Sequence, residues 1–332
     1  MQECHPLVSI IVLNYNGIRF IEKCLKSLLD TDYPKFEVIF VDNSSTDGSV
    51  ELVNNLFGND PRLKIIVNPK NVGFALGNNI GSKYAAGKYL VFLNNDTEVD
   101  KSWLKELVKV ATSDSRIGIV GCKVVTSFKG RAEALIVDRF GHSFPQPFPN
   151  SVREVFAVEG AAFLIKRDIW EKLGGFDPRY FALCEDIDLC WRAQLLGYRV
   201  VVAPNSIVFH VGSATVSKTS LLTRRYLDFR NSMRTLLKNY SVKSLLKLLP
   251  LFFALESAES IFISLKTGDA HFIVAYIKAA VWNIMNLKDT IVARSRIQSG
   301  RVIDDGEVMR RMMKTSAKLL FLFKYRSKLM YE

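Results

Sequence analysis

The sequence predicts an α/β protein on a mostly parallel sheet, followed by a basic helical extension. Three observations predict it. Short β-branched runs alternate with helix-length segments over the first hundred residues, as in βαβ units. Three of those runs end directly in polar clusters, at Asn14–Asn16, Asp42–Asp47 and Asn94–Asp96. Charge also divides the chain: residues 1–212 carry 24 Lys+Arg and 24 Asp+Glu, whereas 213–332 carry 21 against 9, so the whole excess of +12 lies in the last third. A chain of 332 residues can bury one substantial core plus an appended region.

Taken in order, Val8–Leu13 is the first strand, and Phe20, Ile21, Cys24, Leu25, Leu28 and Leu29 repeat at helical spacing. Phe36–Val41 is the second strand. It runs into a Ser/Thr/Asp-rich turn that caps a helix over Val50–Leu56, with Asp47 a turn or cap residue. Leu63–Val67 is the third strand, and a helix punctuated by Gly73, Gly77 and Gly81 leads to the strand Tyr89–Leu93. Ile117–Val125 and Phe156–Ile165 read as strands, with an irregular Pro- and Phe-containing excursion over 126–153 between them. Arg167–Leu173 is a short helix ending at Gly174-Gly175, Glu185–Leu196 is a longer one, and Val200–Ala203 is a strand. Ligands of such sheets bind at the carboxyl ends of the strands, so three polar clusters on that edge predict a site.

From about Thr219 the chain is helical and basic. Leu245–Leu265 contains Lys247, Pro250, Glu256 and Glu259, and Phe272–Met285 contains Lys278. Neither supplies about 20 uninterrupted apolar residues, so no transmembrane span is expected. Amphipathic helices lying in a membrane interface suit the pattern, with a helical core or a homo-oligomer surface as the other option. Aromatic residues there do not interleave with Lys and Arg, so nucleic acid is not an expected partner. Cys4, Cys24, Cys122, Cys184 and Cys190 are scattered without a C-x-x-C pair, which predicts reduced thiols and no zinc site. The N-terminus lacks the features of a secretory signal. A cytoplasmic enzyme, peripheral on the cytoplasmic membrane face, is expected.

Three clusters carry chemistry. Asp96, after a strand, can hold a hard divalent cation that keeps few carboxylates and takes substrate phosphates as further ligands. Asp42 can accept a hydrogen bond from the ring N–H of a pyrimidine, beside hydroxyls suited to ribose. Glu185 and Asp186 open a predicted helix, where one can serve as general base. The ordinary alternatives are capping and turn roles for the same residues.

The motifs Val-Ser-Ile-Ile-Val-Leu-Asn-Tyr-Asn (8–16), Val-Asp-Asn-Ser-Ser-Thr-Asp-Gly-Ser (41–49), Asn-Val-Gly-Phe-Ala (71–75) with Asn78-Asn79, Leu-Asn-Asn-Asp-Thr (93–97), Gly-Gly-Phe-Asp (174–177), Glu-Asp-Ile-Asp-Leu-Cys-Trp-Arg (185–192) and His-Val-Gly-Ser (210–213) stand in one order. Together they closely resemble family 2 glycosyltransferases, nearest the rhamnosyltransferase-like branch, over roughly residues 7–215. The resemblance implies a GT-A catalytic domain over 1–215, with a nucleotide-sugar half to about 115 and an acceptor half beyond it, and a C-terminal region over 216–332. It implies Mg²⁺ or Mn²⁺ held by Asp96 and His210. It also implies a nucleotide pocket of Asn14, Tyr15, Asp42, Gly73, Asn78, Asn94 and Asn95, with Asp186 as base and Glu185 beside it. Asn94 stands where the family's D-x-D motif has its first carboxylate, which weakens the expected metal site. The implied reaction moves a sugar, with inversion, from a UDP- or dTDP-sugar to a glycan or lipid-linked acceptor in cell-surface polysaccharide or glycolipid assembly, dTDP-rhamnose being the first guess. A non-catalytic sugar-nucleotide or lipid-binding scaffold and a nucleotidyltransferase are the competing classes. The latter lacks the basic glycine-rich loop it needs, since Asn14–Gly17 has one glycine and no Lys.

Overall fold

The computed structural model describes residues 5–126, 130–211 and 220–324. Cys4, the end of the seventh motif (Gly212-Ser213) and the expected boundary between 215 and 216 lie outside these residues. The chain forms two compact units, one of residues 1–135, 145–193 and 198–212, the other of 136–144, 194–197 and 213–332.

The first unit begins with β1 (Val8–Asn14), α1 (Ile18–Leu29), β2 (Phe36–Asp42), α2 (Ser49–Phe57), β3 (Leu63–Val67), α3 (Gly73–Ser82), β4 (Tyr89–Asn94), the short β5 (Thr97–Val99) and α4 (Trp103–Ser113). The chain continues with β6 (Ile117–Thr126), β7 (Arg131–Val137), β8 (Ser143–Pro147), β9 (Arg153–Glu154), β10 (Ala162–Lys166), α5 (Arg167–Leu173), α6 (Glu185–Leu195) and β11 (Arg199–His210), of which only residues 136–137, 143–144 and 194–195 count with the second unit. The main sheet runs β3-β2-β1-β4-β10-β6-β11-β5. It is parallel from β3 through β4 and between β6 and β11, and antiparallel where β10 joins β4 and β6. The fold is thus α/β with a mixed central sheet. β1 and β2 are buried almost throughout, as strands covered on both faces must be, while β3 at the edge is not. Helix α1 turns Ile21, Cys24, Leu25 and Leu28, one face at i, i+3, i+4 and i+7, into the core.

Several elements depart from the sequence reading, each for a local reason. Residues 126–153 are not an irregular excursion: β6 and β7 pair as an antiparallel hairpin, and β8 and β9 add short strands. Pro145 and Pro147 disguise β8, because a proline in a strand is tolerated only at a sheet edge. The strand expected over Phe156–Ile165 is confined to Ala162–Lys166. The strand expected over Val200–Ala203 is longer: β11 extends from Arg199 to His210 through a register break between Ala203 and Ile207, at Pro204-Asn205-Ser206. Helix α4 was not anticipated, although Trp103, Leu104, Leu107, Val108 and Ala111 are buried at helical spacing and Trp103 Nε1 donates to Thr31 Oγ1 at 3.0 Å.

The second unit holds α7 (Leu221–Asn239), α8 (Val242–Thr267), α9 (His271–Met285), α10 (Leu287–Ser299), α11 (Asp305–Arg310) and α12 (Ala317–Lys324). Ser220 and Ser241 cap α7 and α8, accepting from Thr223 N–H and Ser244 N–H. α7 is buried over most of its length. Its Arg234 donates to Thr290 Oγ1 at 2.7 Å and pairs with Asp289 at 2.6 Å. By length and composition α8 is long and apolar enough to cross a bilayer, because only Glu256 and Glu259 carry charge between Lys247 and Lys266. Both carboxylates are turned inward: Glu256 and Glu259 each pair with Lys318 of α12, and Glu256 Oε1 also meets His142 Nε2 at 3.0 Å.

Candidate active site

The register sets three strand ends side by side, with Asn14 of β1 opposite Asp42 of β2 and Leu13 opposite Asn94 of β4. Asn14 ties them together. Its Nδ2 donates to Asp42 Oδ1 at 2.8 Å and to Ser45 Oγ at 3.2 Å, while its Oδ1 accepts from Asn95 Nδ2 at 2.5 Å. Asp42 also accepts from Ser45 Oγ at 2.6 Å and from the Ser45 N–H at 2.7 Å. Asn14 and Asp42 are completely enclosed, whereas Tyr15 beside them is 39% exposed. Asn14 and Asn95 therefore set the position of Asp42 and the Ser44–Asp47 turn. Asp47 carries the turn onward, accepting from the Ile18 N–H at 2.9 Å and from Ser49. Burial opposes its charge, but those hydrogen bonds prevail and hold its carboxyl below the ordinary range.

Gly17 is required by this network, since a Cβ there would run into Asn95 Nδ2 and Asn14 Oδ1, the two atoms of the bond between them. Gly17→Ala is expected to break the Asn14–Asn95 bond and cost about 2 kcal/mol of stability. Denaturant midpoints of the two proteins measure this, and an unchanged midpoint would show that the network yields freely.

A second set of contacts fastens the start of α3. Gly73 adopts φ +83°, and a Cβ there would lie 2.6 Å from both the ring and the carbonyl oxygen of Phe181. Phe74 N–H donates to that same carbonyl at 2.6 Å, and Asn43 Nδ2 donates to Gly73 O at 3.1 Å. Asn78 is buried and spends its amide on Phe74 O within its own helix. Its neighbour Asn79 makes the longer link: Nδ2 donates to Phe176 O at 2.8 Å and Oδ1 accepts from Phe176 N–H at 2.9 Å. Phe176 is in turn held edge-on by Trp170 at 5.1 Å. The Gly-Gly-Phe-Asp turn is thereby clamped to α3 by Asn79, a motif residue to which the sequence alone assigns no role.

The third set is the candidate cation site. Asp96 and His210, 114 positions apart, meet with Asp96 Oδ1 3.0 Å from His210 Nε2. The cause is the pairing of β5 with β11, which sets His210 opposite Thr97, and the Val211 N–H bond to Asp96 O. Both side chains are largely buried. Burial lowers the His210 pKa, but the Asp96 carboxylate outweighs it and raises the value, with Glu159 adding to the effect. Among the described residues no cluster of three or more His, Cys, Asp or Glu side chains could hold a metal. The two are donor types that Mg²⁺ or Mn²⁺ accepts, but here they share a hydrogen bond, so a cation would have to displace the proton between them. Neighbouring ligands of an octahedral ion bound at about 2.1 Å are ~3 Å apart, and a hard cation takes its remaining ligands from water and substrate phosphate. Asn94, half-buried at the end of β4, lies beside this pair.

The fourth set is the start of α6. Leu183 and Cys184 both adopt left-handed backbone, φ 72° and 67°, without glycine. Such conformations cost about 1–2 kcal/mol each. They turn the chain so that Glu185 and Asp186 open the helix in its positive N-terminal field. Asp186 Oδ2 accepts from the Gly160 N–H at 2.9 Å and Oδ1 from the Ile187 N–H at 2.8 Å. A Cβ on Gly160 would stand only 3.1 Å from Oδ2. Ala161, the next residue, accepts from the Asn94 N–H at 2.9 Å. Residues 160–161 therefore touch the loop of Asp96 on one side and the carboxylate of Asp186 on the other, which joins the third and fourth sets into one locale. Further along α6, Arg192 pairs with the buried Asp188 at 2.8 Å and bonds Leu173 O, a structural use.

Burial and the adjacent Asp186 raise the Glu185 pKa to about 8, and one of its oxygens is buried with no hydrogen-bond partner among the described residues. Burial also raises the Asp186 pKa, against the two N–H bonds that favour its charge. The pair shares the burden of one negative charge near neutrality. A carboxyl whose pKa rises on folding binds more protons folded than unfolded, so its stabilisation is present below about 4.5 and lost as pH rises through about 8. Glu185→Gln is therefore expected to shrink the fall in Tm between pH 5.5 and pH 8. An identical fall in both proteins would remove Glu185 as its source.

A Rossmann-like sheet whose strand ends gather an enclosed Asp, an Asp–His pair and a helix-opening carboxylate defines a GT-A protein. Solved structures share the fold: the mannosyltransferase PcManGT from Pyrobaculum calidifontis with GDP-Man and Mn²⁺ aligns with 90% of this chain and 86% of its own at a TM-score of 0.55 and 20% identity. TarS 1–349 from S. aureus with UDP aligns with 88% of each chain at the same score and identity. Residues 9–174, half of the chain, match Glycosyl transferase family 2, and the chain belongs to that family. Among curated relatives, the O-antigen biosynthesis protein RfbC of Myxococcus xanthus is 34% identical over 232 residues, covering 63% of this chain. That match spans only 18% of the relative's length.

Proposed function

We propose that the chain is an inverting glycosyltransferase that moves a sugar from a nucleoside diphosphate carrier to an acceptor hydroxyl. The observation that carries this reading is the Asp186 carboxylate, held by the Gly160 N–H next to the residue bonded to Asn94, two positions before Asp96. One locale thus offers a base and a cation site. The acceptor O–H gives its proton to Asp186 as its oxygen attacks C1 of the sugar. The new C1–O bond forms as the C1–O bond to the diphosphate breaks on the opposite face, which inverts the anomeric centre. A cation bound by Asp96 and His210 would supply charge neutralisation to the departing diphosphate. Glu185, neutral when its neighbour is charged, leaves the single negative charge on Asp186. The Gly160 and Ile187 N–H groups hold that carboxylate in place, and the enclosed Asp42, fixed by Asn14 and Ser45, anchors the turn that Tyr15 borders.

The donor half is assigned to residues up to about 115 and the acceptor half to 116–215. Support for a pyrimidine carrier comes from TarS, solved with UDP; Asp42, completely enclosed and bonded to Asn14 and Ser45, holds the turn at the pocket rather than reaching a base. PcManGT, with GDP-Man, represents the alternative base. Within the pyrimidine reading, UDP and dTDP sugars are both proposed, dTDP-rhamnose first. The acceptor is proposed to be a glycan or lipid-linked glycan in cell-surface polysaccharide assembly, after the name of the Myxococcus relative. The proposed setting is cytoplasmic; Cys24, Cys122, Cys184 and Cys190 are buried free thiols, which suits a reducing compartment. The test is a thermal-shift panel of UDP, dTDP and GDP with and without Mn²⁺. Cation-dependent stabilisation by a pyrimidine nucleotide is expected, and none by any nucleotide would overturn the reading.

A further inference from the structure

We propose that the outward faces of α8 and α9 form a docking surface for an anionic lipid bilayer, entered from the side rather than spanned. On α8 the exposed residues Leu251, Ala254, Ala258, Ile261, Phe262 and Leu265 fall at i, i+3, i+7, i+10, i+11 and i+14, a single stripe along one helix face. On α9 the exposed Val274, Ile277, Val281, Ile284 and Met285 repeat the same spacing. Leu265 and Met285 are each 80% exposed. Scattered apolar residues on a surface are ordinary, but two parallel-spaced stripes on adjoining helices are a patch that asks for a partner.

Charge selects the partner. The exposed lysines of these helices bracket the stripes: Lys243 and Lys247 precede the apolar stretch of α8, Lys266 follows it, and Lys278 lies within the α9 face. The two carboxylates of α8 are its inward ones, Glu256 and Glu259, both spent on Lys318 inside the unit, and α9 has no carboxylate. The outer faces of the two helices therefore present apolar side chains and positive charge, and the carboxylate in the turn that joins them, Asp269, is paired with His271. Lysines of this kind keep their ammonium groups at the headgroups while their stems lie along the hydrocarbon boundary. A second copy of the chain suits the surface poorly, since a two-fold contact sets each lysine-flanked stripe against its own image. Spanning is also disfavoured by the inward pairing. A helix crossing alone would carry Glu256 and Glu259 into hydrocarbon without Lys318.

The experiment is flotation of the full chain with vesicles of phosphatidylcholine alone and of phosphatidylcholine mixed with phosphatidylglycerol, at low and high salt. Binding to the anionic vesicles, weak binding to the neutral ones and release by salt are expected. The variant Lys243→Gln/Lys247→Gln/Lys266→Gln is expected to weaken anionic binding on the order of 10²-fold. Ile261→Ser/Leu265→Ser is expected to weaken it with the thermal melt unchanged, because neither side chain is part of the core. Equal binding to neutral vesicles would overturn the role of charge. Attachment that survives high salt and alkaline extraction would overturn docking in favour of a span. Self-association without vesicle binding would assign the surface to a second copy.

Discussion

Asp186→Asn lowers the rate of sugar transfer by about 10³-fold, within the usual range for removing a general base, while donor affinity stays close to that of the parent. The reason lies in what the side chain does. In the proposed mechanism its charge accepts the acceptor's proton, and in the structure its oxygens accept from the Gly160 and Ile187 N–H groups. Asparagine keeps the shape but presents an NH₂ where one of those N–H donors needs an oxygen, so a loss of about 1–3 kcal/mol in stability accompanies the loss of chemistry. A melting curve separates the two effects. The substitution also removes the charge that raises Glu185, whose pKa then falls. If the rescued glutamate carried the proton instead, transfer would persist with a shifted pH profile. Strong residual transfer in the variant would reassign the base to Glu185.

Asp96→Ala weakens nucleoside diphosphate binding by about 10²-fold, roughly 2.7 kcal/mol, when Mn²⁺ is present, and leaves binding in chelator unchanged. Removing Asp96 deletes one of the two donor atoms in the cation site and leaves the largely buried His210 without the partner that holds its proton. A cation at this proposed site would then keep only His210 as a protein ligand and would neutralise the diphosphate less well. Calorimetry with and without chelator makes the comparison. Equal weakening in both conditions would mean that Asp96 shapes the loop and takes no part in binding a cation.

Both predictions rest on features that were legible for physical reasons. Strands that end in polar residues show themselves in a βαβ sequence, because apolar runs covered on both faces stop abruptly at the sheet edge. Asn14, Asp42 and Asp96 could be placed on one edge on that ground alone. The Asp186 and His210 assignments needed the order of the motifs, since a helix-opening carboxylate and a lone histidine have ordinary structural uses.

What stayed hidden was mostly backbone. The N–H of Gly160 that holds Asp186 has no side chain to advertise it. The left-handed turn at Leu183 and Cys184 uses two residues that no turn rule would select. Asn79 reads the same as Asn78, and only the fold decides which of them reaches Phe176. Strand β8 was disguised by Pro145 and Pro147, and the full length of β11 by the break at Pro204. Helix α4 is different: its spacing was fully present in the sequence. In α8, the glutamates read as interruptions because nothing local reveals Lys318, about sixty residues away, as their partner.

The central claim is that Asp96 and Asp186 address opposite sides of one bound sugar. The most direct measurement is a crystal structure of the Asp186→Asn protein with UDP-sugar or dTDP-sugar and Mn²⁺. The expected density places the cation against Asp96 and His210, the diphosphate on that cation, and C1 of the sugar turned towards residue 186. A nucleotide bound away from the ends of β1, β2 and β4, or a sugar whose C1 faces away from residue 186, would contradict it.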